Sequence, residues 1–388
     1  MAEWKKLRIE DLAAPGKHSL ATGPFGSAIG SRFFREEGVP VVRGSNLSLD
    51  VGERLIDPGI VFVEESKAEE FPRSVARRGD LIFTCWGTIG QIGLVDERAR
   101  FDRYIVSNKQ MKLTPDPGRV DSLFLYYALS SPGAVAQVQG ASIGSSVPGF
   151  NLTQLRKVEV LCPPLAHQQS IAKMLGALDD KIAVNERITA TAMGLGAAKA
   201  AQISASAMES AALGDILELK YGKALPASRR VAGGIPVYGS GGISGTHVEA
   251  LLEGPGIIVG RKGTVGSVNW SEGGFFPIDT TFYVVCRGDR VSMEYAYFLL
   301  KRLGLENMNS DSAVPGLNRD RALSVRIKVP EVHSVQRFTA EARELFAMSR
   351  VREQENQVLA ALRDTLLPQL MSGRLRVKDA EKIVEDHV

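Results

Sequence analysis

Apolar and polar residues follow two contrasting patterns along the chain, and each pattern occurs twice. Two segments, from about residue 1 to 155 and from about 211 to 330, contain short β-branched runs bounded by glycine and proline, which is typical of strands. The runs that predict strands are residues 39–42, 60–63, 80–84, 92–95, 110–113, 235–238, 256–259, 280–285 and 324–329. One helix is predicted in each segment, over residues 122–130 and 293–303.

The other two segments, residues 165–206 and 331–372, have the period of long helices. Their apolar positions recur in steps of three, four or seven, which is typical of a coiled-coil seam. The seam positions are Ile171, Leu175, Leu178, Ile182 and the polar Asn185, then Phe338, Leu345, Leu359 and Leu366. We expect the two helices to pair with each other, although each could also pack only on its own neighbouring domain. Gly194 and Gly196 are expected to weaken the first helix.

Short motifs return in the same order in both halves. Val-Pro-Gly-Phe-Asn at 147–151 returns as Val-Pro-Gly-Leu-Asn at 314–318, 167 positions later. Gly-Thr-Ile-Gly at 87–90 matches Gly-Thr-Val-Gly at 263–266, and Val-Pro-Val at 39–41 resembles Ile-Pro-Val at 235–237. Several matches in register indicate a duplicated unit. The sequence therefore predicts an α+β fold, with strand-rich domains at 1–155 and 211–330, a central helical region at 156–210 and a C-terminal helical region at 331–388 that pairs with it.

Composition narrows the class of protein without identifying it. The chain has 388 residues, of which 44% are hydrophobic, enough for two or three domains with their own cores. The chain has no run of about 18 apolar residues, so no membrane span is predicted. The N-terminus lacks the apolar region of a secretory signal. The three cysteines make neither a metal pattern nor a disulfide framework, which fits a reducing cytoplasm. The net charge of +3 leaves nucleic-acid binding open.

A search for catalytic motifs predicts no catalytic residue and no metal site. The sequence contains no P-loop, no dinucleotide fingerprint, no zinc motif and no amino-methyltransferase motif. Asp57, Glu65 and Lys67 imitate the spacing of a metal-dependent nuclease. Because the surrounding residues 64–70 are rich in glutamate, we interpret these three as surface charge.

Three stretches carry a resemblance to a known family. Residues 168–185 read QQSIAKMLGALDDKIAVN after a Pro-Pro-Leu lead-in, and residues 362–373 read LRDTLLPQLMSG. Together with the opening Trp-Lys-Lys-Leu at 4–7 and the two Gly-Thr-x-Gly turns, they resemble the specificity subunits of type I restriction–modification systems. The resemblance implies two target-recognition domains separated by long antiparallel coiled-coil-like helices. It also implies a non-catalytic role, in which each domain reads half of a bipartite target in double-stranded DNA.

The resemblance further implies partners and their cofactors. The helices are expected to dock two methyltransferase (modification) subunits, and restriction/translocase subunits are expected to join the complex. This chain is then expected to need no cofactor, with S-adenosylmethionine, ATP and Mg²⁺ bound by the partner subunits. We expect a cytoplasmic protein without contact to a membrane.

Candidate DNA contacts lie in turns that offer hydrogen-bonding side chains. Base edges are read by arginine, lysine, asparagine and glutamine, and phosphates also accept hydrogen bonds from serine, threonine and backbone N–H groups. In the first domain the candidates are Arg43, Ser45, Asn46, Trp86, Thr88, Asn108 and Lys109; in the second they are Tyr238, Ser240, Arg261, Lys262 and Thr264. Each could instead be an ordinary surface turn residue or a packed aromatic.

Two other classes of protein stay open from the residues alone. One is an enzyme, either a fused or stand-alone DNA methyltransferase or a nuclease, which would need a cofactor motif. The other is a coiled-coil scaffold that carries two protein-binding modules. Binding of S-adenosylmethionine would indicate the first, and failure to bind DNA with or without a methyltransferase would indicate the second.

Overall fold

The computed structural model describes residues 4–142, 149–308 and 316–387. It divides into two compact units: unit 1 comprises residues 1–184 and 354–388, and unit 2 comprises residues 185–353. Each unit therefore combines one strand-rich fold with segments of two long helices that are distant in sequence. The four segment boundaries given above stay predictions, since this division follows packing and cuts through the helices.

Unit 1 begins with ten strands and five short helices within the described residues. The strands are β1 (Lys5–Arg8), β2 (Leu20–Thr22), β3 (Val39–Val42), β4 (Val61–Val63), β5 (Val75–Arg77), β6 (Leu81–Thr84), β7 (Ile92–Leu94), β8 (Arg103–Val106), β9 (Gln110–Leu113) and β10 (Glu159–Cys162). The short helices are α1 (Ile9–Leu12), α2 (Glu65–Glu69), α3 (Ser122–Ser130), α4 (Pro132–Gly140) and α5 (Leu152–Lys157).

The long helix α6 (Leu165–Ala205) follows, and unit 2 supplies the next elements. Its strands are β11 (Glu209–Ala212), β12 (Leu217–Tyr221), β13 (Ile235–Gly239), β14 (Gly242–His247), β15 (Gly256–Gly260), β16 (Val268–Ser271), β17 (Phe276–Pro277), β18 (Thr281–Cys286) and β19 (Arg326–Val329). Its short helices are α7 (Leu213–Ile216), α8 (Met293–Arg302) and α9 (Arg319–Leu323). The long helix α10 (Val332–Met371) and the short α11 (Val377–Glu385) end the described chain.

The two strand-rich folds share one topology. Unit 1 has a four-stranded sheet in the order β2-β9-β6-β7, and unit 2 has the equivalent sheet β12-β18-β15-β16. In the second sheet of unit 1, β3 pairs antiparallel with β4 and parallel with β8; in unit 2, β13 pairs in the same way with β14 and β17. Each unit also has a two-stranded ribbon, which is β1-β10 in unit 1 and β11-β19 in unit 2. The predicted α+β fold with a duplicated strand-rich domain is therefore confirmed.

The repeated asparagine has the same structural task in both units. The Asn151 side chain accepts a hydrogen bond from the Gln154 N–H at 3.0 Å and so caps α5. The Asn318 side chain accepts from the Arg321 N–H at 2.9 Å and caps α9. Asparagine is favoured at this position because its side-chain oxygen satisfies an otherwise unpaired helix N–H, which explains why this residue recurs.

The two long helices lie beside each other within each unit, and they run in opposite directions. In unit 1 the first part of α6 meets the last part of α10, where Lys181 and Glu355 form an ion pair of 3.1 Å. In unit 2 the last part of α6 meets the first part of α10, where Lys199 pairs with Glu341. Long antiparallel helices, as predicted, are confirmed. No helix in the described ranges has a stretch apolar enough to cross a bilayer.

The seam residues lie mostly in the interior. Ile171, Leu175, Leu178, Leu359 and Leu366 belong to the core of unit 1, and Phe338 belongs to that of unit 2. Asn185 is fully buried, whereas Ile182 and Leu345 are half-buried. The seam residues that are enclosed in the cores cannot also contact a partner, so a partner would use exposed positions of the helices or the half-buried Ile182 and Leu345.

The sequence predicts the strands of high β propensity to within about two residues of their observed ends, but it does not predict several other strands. Residues 39–42, 110–113 and 122–130 coincide with β3, β9 and α3. Strands such as β1 and β12 were not predicted because they are rich in charged residues, although they pair with partners far away in sequence.

The two glycines of α6 have different surroundings, and their expected weakening of the helix stays a prediction. The helix continues through both Gly194 and Gly196. A Cβ atom on Gly196 would lie 3.0 Å from Phe298 Cε1 and Cε2 and closer still to Cζ, whereas a Cβ on Gly194 would meet nothing within 4 Å. Gly196 is therefore needed for the close approach of Phe298, and Gly194 is not.

These two glycines form a matched pair for mutation. We expect Gly196→Ala to lower the free energy of unfolding by about 1–3 kcal/mol, because the added methyl group overpacks the site. Gly194→Ala should raise it by up to about 1 kcal/mol, because alanine favours the helix. Urea unfolding followed by circular dichroism measures both. A rise for both variants would contradict the close packing of Phe298.

Candidate nucleic-acid interface

A cavity of about 610 Å³ opens in unit 1 where three turns converge. The turns follow β3, follow β6 and connect β8 to β9. Six of the seven residues predicted to contact DNA in the first domain line it: Arg43, Ser45, Trp86, Thr88, Asn108 and Lys109. The lining includes two cations and no acidic residue, which suits a polyanionic ligand.

Arg43 is held at the wall of this cavity but keeps donors free. Its Nη2 donates to the Gly59 carbonyl oxygen at 2.6 Å, and its guanidinium carbon lies 5.6 Å from the centre of the Phe34 ring. Its Nε is buried and makes no hydrogen bond to any residue that the structure describes. The side chain is thus pre-positioned, which reduces the entropy lost when its remaining N–H groups bind.

Asn46 corrects one of the predicted DNA contacts. It is almost fully buried, its Oδ1 accepts the Arg43 backbone N–H at 3.1 Å, and its Nδ2 donates to the Ile56 carbonyl oxygen at 2.9 Å. Its polar atoms are therefore used to shape the turn that presents Arg43. The sequence indicated a polar turn residue but did not indicate the backbone groups that satisfy it.

The Gly-Thr-x-Gly turn presents Trp86 and Thr88. Gly87 and Gly90 both have φ of 102°, a conformation that non-glycine residues rarely adopt. The Cys85 N–H donates to the Lys109 carbonyl oxygen at 2.7 Å, which ties this turn to the β8–β9 turn. Trp86 is 52% exposed, so a large aromatic surface faces solvent at the cavity. On the β8–β9 turn, the Asn108 amide donates to the Gly26 carbonyl oxygen at 2.9 Å.

Two other lining residues, Phe34 and Gln91, were not predicted from sequence; Thr84, at the end of β6, lines the cavity as well. The Gln91 amide donates to the Leu47 carbonyl oxygen at 2.8 Å, and the Thr84 hydroxyl donates to Gln91 Oε1 at 3.1 Å. Gln91 comes from the approach to β7 rather than from a turn motif, so no local signal identified it.

Unit 2 builds the equivalent turn on the same backbone hydrogen bonds. The Arg261 N–H donates to the Thr280 carbonyl oxygen at 2.9 Å, and the Arg261 carbonyl oxygen accepts from the Leu317 N–H at 2.9 Å. In unit 1, the Cys85 N–H donates to the Lys109 carbonyl oxygen in the same way, and the Cys85 carbonyl oxygen accepts from the Phe150 N–H. Trp86 bridges to Gly149 as Lys262 bridges to Gly316. The backbone frame is shared, and the side chains that it presents differ.

Arg261 belongs to a cation–aromatic cluster in unit 2. Its guanidinium carbon lies 5.2 Å from the Tyr221 ring centre, and that of Arg319 lies 5.9 Å from the same ring. The Arg261 Nη2 donates to the Asp279 carbonyl oxygen at 2.8 Å, and the Arg319 Nε donates to the Leu219 carbonyl oxygen at 2.8 Å. Tyr221 and Arg319 were missed from sequence. Arg319 directly follows the repeated Asn318, and that was the available signal.

The remaining candidates of unit 2 divide between surface and core. Ser240 is half-buried beside Gly263, while Lys262 and Thr264 are exposed on the same turn. Tyr238 corrects a prediction: it is buried, its ring packs edge-on against Phe275, and its hydroxyl donates to the Trp270 carbonyl oxygen at 3.2 Å. It supports the sheet rather than facing a ligand.

Two of the three residues that imitate a nuclease site, Glu65 and Lys67, bind different partners. Glu65 pairs with Arg103, whereas Lys67 pairs with Glu70 at 2.7 Å and lies 4.2 Å from the Phe33 ring centre. Within the ranges that the structure covers, no group of three or more histidines, cysteines and carboxylates is arranged to hold a metal ion.

The comparisons with known proteins fit this geometry. The model of the type I restriction modification DNA specificity domain matches twice, at residues 35–192 and 206–343, and the chain belongs to that family. A Mycoplasma genitalium protein named as a type I specificity subunit is 26% identical over 309 residues, which cover 73% of this chain and 78% of that protein. The crystal structure of a type I restriction–modification S subunit from M. genitalium has the same fold, with a TM-score of 0.60, 19% identity and coverage of 95% and 96% of the two chains.

The resemblance recognised at residues 168–185 and 362–373 is therefore confirmed. The chain is a type I restriction–modification specificity subunit with two recognition domains, and its role is to recognise DNA sequence. A fused methyltransferase, a nuclease or a protein scaffold is not favoured by this membership.

The three cysteines offer a test of burial in the two units, and Cys85 does so at the base of the Trp86 turn. Burial raises the pKa of Cys85 to about 12 and that of Cys162 and Cys286 to about 11. The neutral thiol therefore persists in the folded state, and the associated stability is fully present below the unfolded pKa of about 8.5 and is lost as pH rises toward the folded values.

We expect a thiol-alkylating reagent at pH 8 to label the folded chain slowly at all three cysteines. The unfolded chain in urea should be labelled quickly at each, because its thiols are exposed and form thiolate more readily. Mass spectrometry of labelled peptides measures the rate at each position. Fast labelling of folded Cys85 would show that the base of the Trp86 turn is open.

Proposed function

We propose that each unit reads one half of a bipartite target in double-stranded DNA. The observation that carries the proposal is the shared frame, in which identical backbone hydrogen bonds hold the turns of Trp86 and Lys262. The frame places different side chains at equivalent positions of the two units. Such an arrangement suits two half-sites of different sequence, because base edges are distinguished by the donors and acceptors presented to them.

The side chains of unit 1 suggest how its half-site is read. Arg43 has free N–H groups next to an aromatic ring, and arginine commonly pairs with guanine in the major groove. Asn108 carries an amide suited to adenine, although one of its N–H groups is used by Gly26. Lys109 and Ser45 are exposed at the rim, where contacts to phosphate position the duplex. Unit 2 would use Arg261, Arg319 and Lys262 in the same way.

The long helices carry exposed apolar residues that suit protein partners. Val184 and Val358 are exposed in unit 1, and Leu195, Met348 and Val351 are exposed in unit 2. These side chains lie on helices whose seams are already filled, so they are available for contact with a protein partner. We propose that this apolar surface docks two methyltransferase subunits, and that restriction/translocase subunits join them in the cytoplasm. Methyl transfer and cleavage, with S-adenosylmethionine, ATP and Mg²⁺, would then belong to those partners.

Substitution of the two arginines tests the assignment of half-sites. We expect Arg43→Ala to reduce discrimination at one half-site by about 1–3 kcal/mol, if the contact is bidentate to guanine. Arg261→Ala should do the same at the other half-site only. Binding of the complex to duplexes with one half-site randomised at a time measures each effect.

Arg103→Ala is the matched control for Arg43→Ala. Arg103 is also in unit 1, but it pairs with Glu65 on the surface and does not line the cavity, so its loss should leave discrimination unchanged. If Arg43→Ala weakens binding equally to all sequences, Arg43 contacts phosphate. If it alters both half-sites, the assignment of one half-site to each unit fails.

A charge on the exposed apolar surface tests docking. Val351→Glu should lower the affinity for the methyltransferase at least tenfold, equivalent to about 1.4 kcal/mol, because a charge would be buried at the contact. Co-purification and titration with the methyltransferase measure this loss. Glu344→Gln, which changes an exposed polar residue of the same helix, should have no effect, and equal losses for both would contradict an apolar docking site.

A further inference from the structure

A buried network of charges joins the strand-rich fold of unit 1 to both long helices. At its centre, the Asp179 side chain on α6 is 1% exposed. Its Oδ1 accepts from Arg363 Nη1 on α10 at 3.0 Å, and its Oδ2 accepts from Arg54 Nη2 at 3.1 Å and from the Tyr127 hydroxyl on α3. Three helices, α3, α6 and α10, and the loop that carries Arg54 therefore meet at a single carboxylate.

The network extends on both sides of Asp179, and of its buried polar atoms Arg54 Nε makes no hydrogen bond to any residue that the structure describes. Arg54 also binds Asp96, and Arg363 reaches Asp50 at 3.3 Å and Asp364 at 2.9 Å. Burial disfavours the charge on Arg54, but contacts with Tyr127, Asp96 and Asp179 outweigh it and hold its pKa above the ordinary value. Burial, together with Asp179, raises the pKa of Tyr127, so its hydroxyl keeps the proton that it donates.

Unit 2 has a different contact at the equivalent place. The offset of 167 that relates the repeated asparagines places Phe346 at the position of Asp179 and Gly196 at that of Arg363. The N-cap residues Asp121 and Ser292 align α3 with α8, so Phe298 corresponds to Tyr127. Phe346 stacks on Trp270 at 4.3 Å between ring centres and lies 5.6 Å from Phe298. The three positions are thus polar in unit 1 and apolar in unit 2.

The Asp179 network of unit 1 and the Phe346 contact of unit 2 differ in how strictly they fix the orientation of the strand-rich fold on its helices. Hydrogen bonds to a buried carboxylate weaken steeply when the donor moves or tilts, and a buried charge left without partners is strongly unfavourable. An apolar contact depends mainly on the area covered, so it tolerates small rotations better. The Asp179 network therefore restricts how the fold of unit 1 is oriented on its helices.

We propose that Asp179, Arg363, Arg54 and Tyr127 are positioning residues that set the orientation of the first recognition domain, and thereby the distance between half-sites that the protein accepts. The proposal rests on the proposed reading of a bipartite target. None of the four residues lines the cavity that holds the candidate DNA contacts. Their loss should therefore relax the spacing between half-sites and leave the sequence of each half-site unchanged.

The test uses the full chain expressed with its methyltransferase, in cells whose methylated adenines are mapped by sequencing. The wild type must give two half-sites with one preferred spacing; an unsplit target would refute the proposed function rather than this inference. Asp179→Asn keeps the shape of the side chain but removes its charge and one acceptor. We expect the same half-sites, with spacings one base pair shorter and longer now methylated. The preference for the native spacing should fall about tenfold, which corresponds to about 1.4 kcal/mol.

Asp180→Asn is the control, because it makes the same change at the next residue, which is exposed, and its spacing should stay as in the wild type. Tyr127→Phe removes only the hydroxyl, which donates to Asp179 and accepts from Arg54 Nη2. It is the deciding variant if Asp179→Asn does not fold, and it should relax the spacing in the same direction by a smaller factor. The inference is overturned if the variants are less stable yet keep the wild-type spacing. It is also overturned if Asp180→Asn relaxes the spacing equally, or if the first half-site itself changes.

Discussion

Neither strand-rich fold can close its hydrophobic core without helical segments from two distant parts of the chain. In unit 1, Leu175 from α6 and Leu366 and Leu370 from α10 belong to the same apolar cluster as Phe124 of α3. In unit 2, Ala200 from α6 and Phe338 and Phe346 from α10 complete the cluster around Tyr295. Removal of this apolar area from water supplies the main driving force for folding. The helices are therefore part of each recognition domain rather than a separate linker.

This shared construction separates what is constant from what varies. The turns that carry Trp86 and Lys262 are held by backbone hydrogen bonds and by glycines with positive φ, so their shape does not require a particular side chain at these two positions. The residues on the turns are then free to differ, as Trp86 and Lys262 do. A single frame can therefore present many different combinations of donors, acceptors and aromatic rings to DNA.

The sequence predicted those features that depend on local patterns. The duplication was visible because Asn151 and Asn318 cap helices and the paired glycines adopt conformations that other residues avoid. The site was predicted in part, since Arg43, Trp86 and Lys109 meet at one cavity. Tyr238 was misassigned because its residue type does not show that its hydroxyl is satisfied inside the fold.

The cluster around Tyr221 was missed for a different reason. Arg319 lies about one hundred residues further along the chain and reaches the Tyr221 ring only in the folded unit. The Asp179 network is similar, because Arg363 and Asp179 are separated by 184 residues. Contacts of this kind have no periodic pattern in a single sequence, and no propensity rule identifies them.

The division of the chain also sets an order for folding during synthesis. Unit 2 is one continuous stretch, residues 185–353, whereas unit 1 needs residues from 354 onward to join those before 185. Unit 2 therefore has all its residues available while the ribosome is still adding the rest of α10. Until Arg363 emerges, Asp179 has no partner on α10 and its side of the core stays open to water. The N-terminal fold is thus made first and completed last, which exposes it to chaperones and proteases for longer than its neighbour.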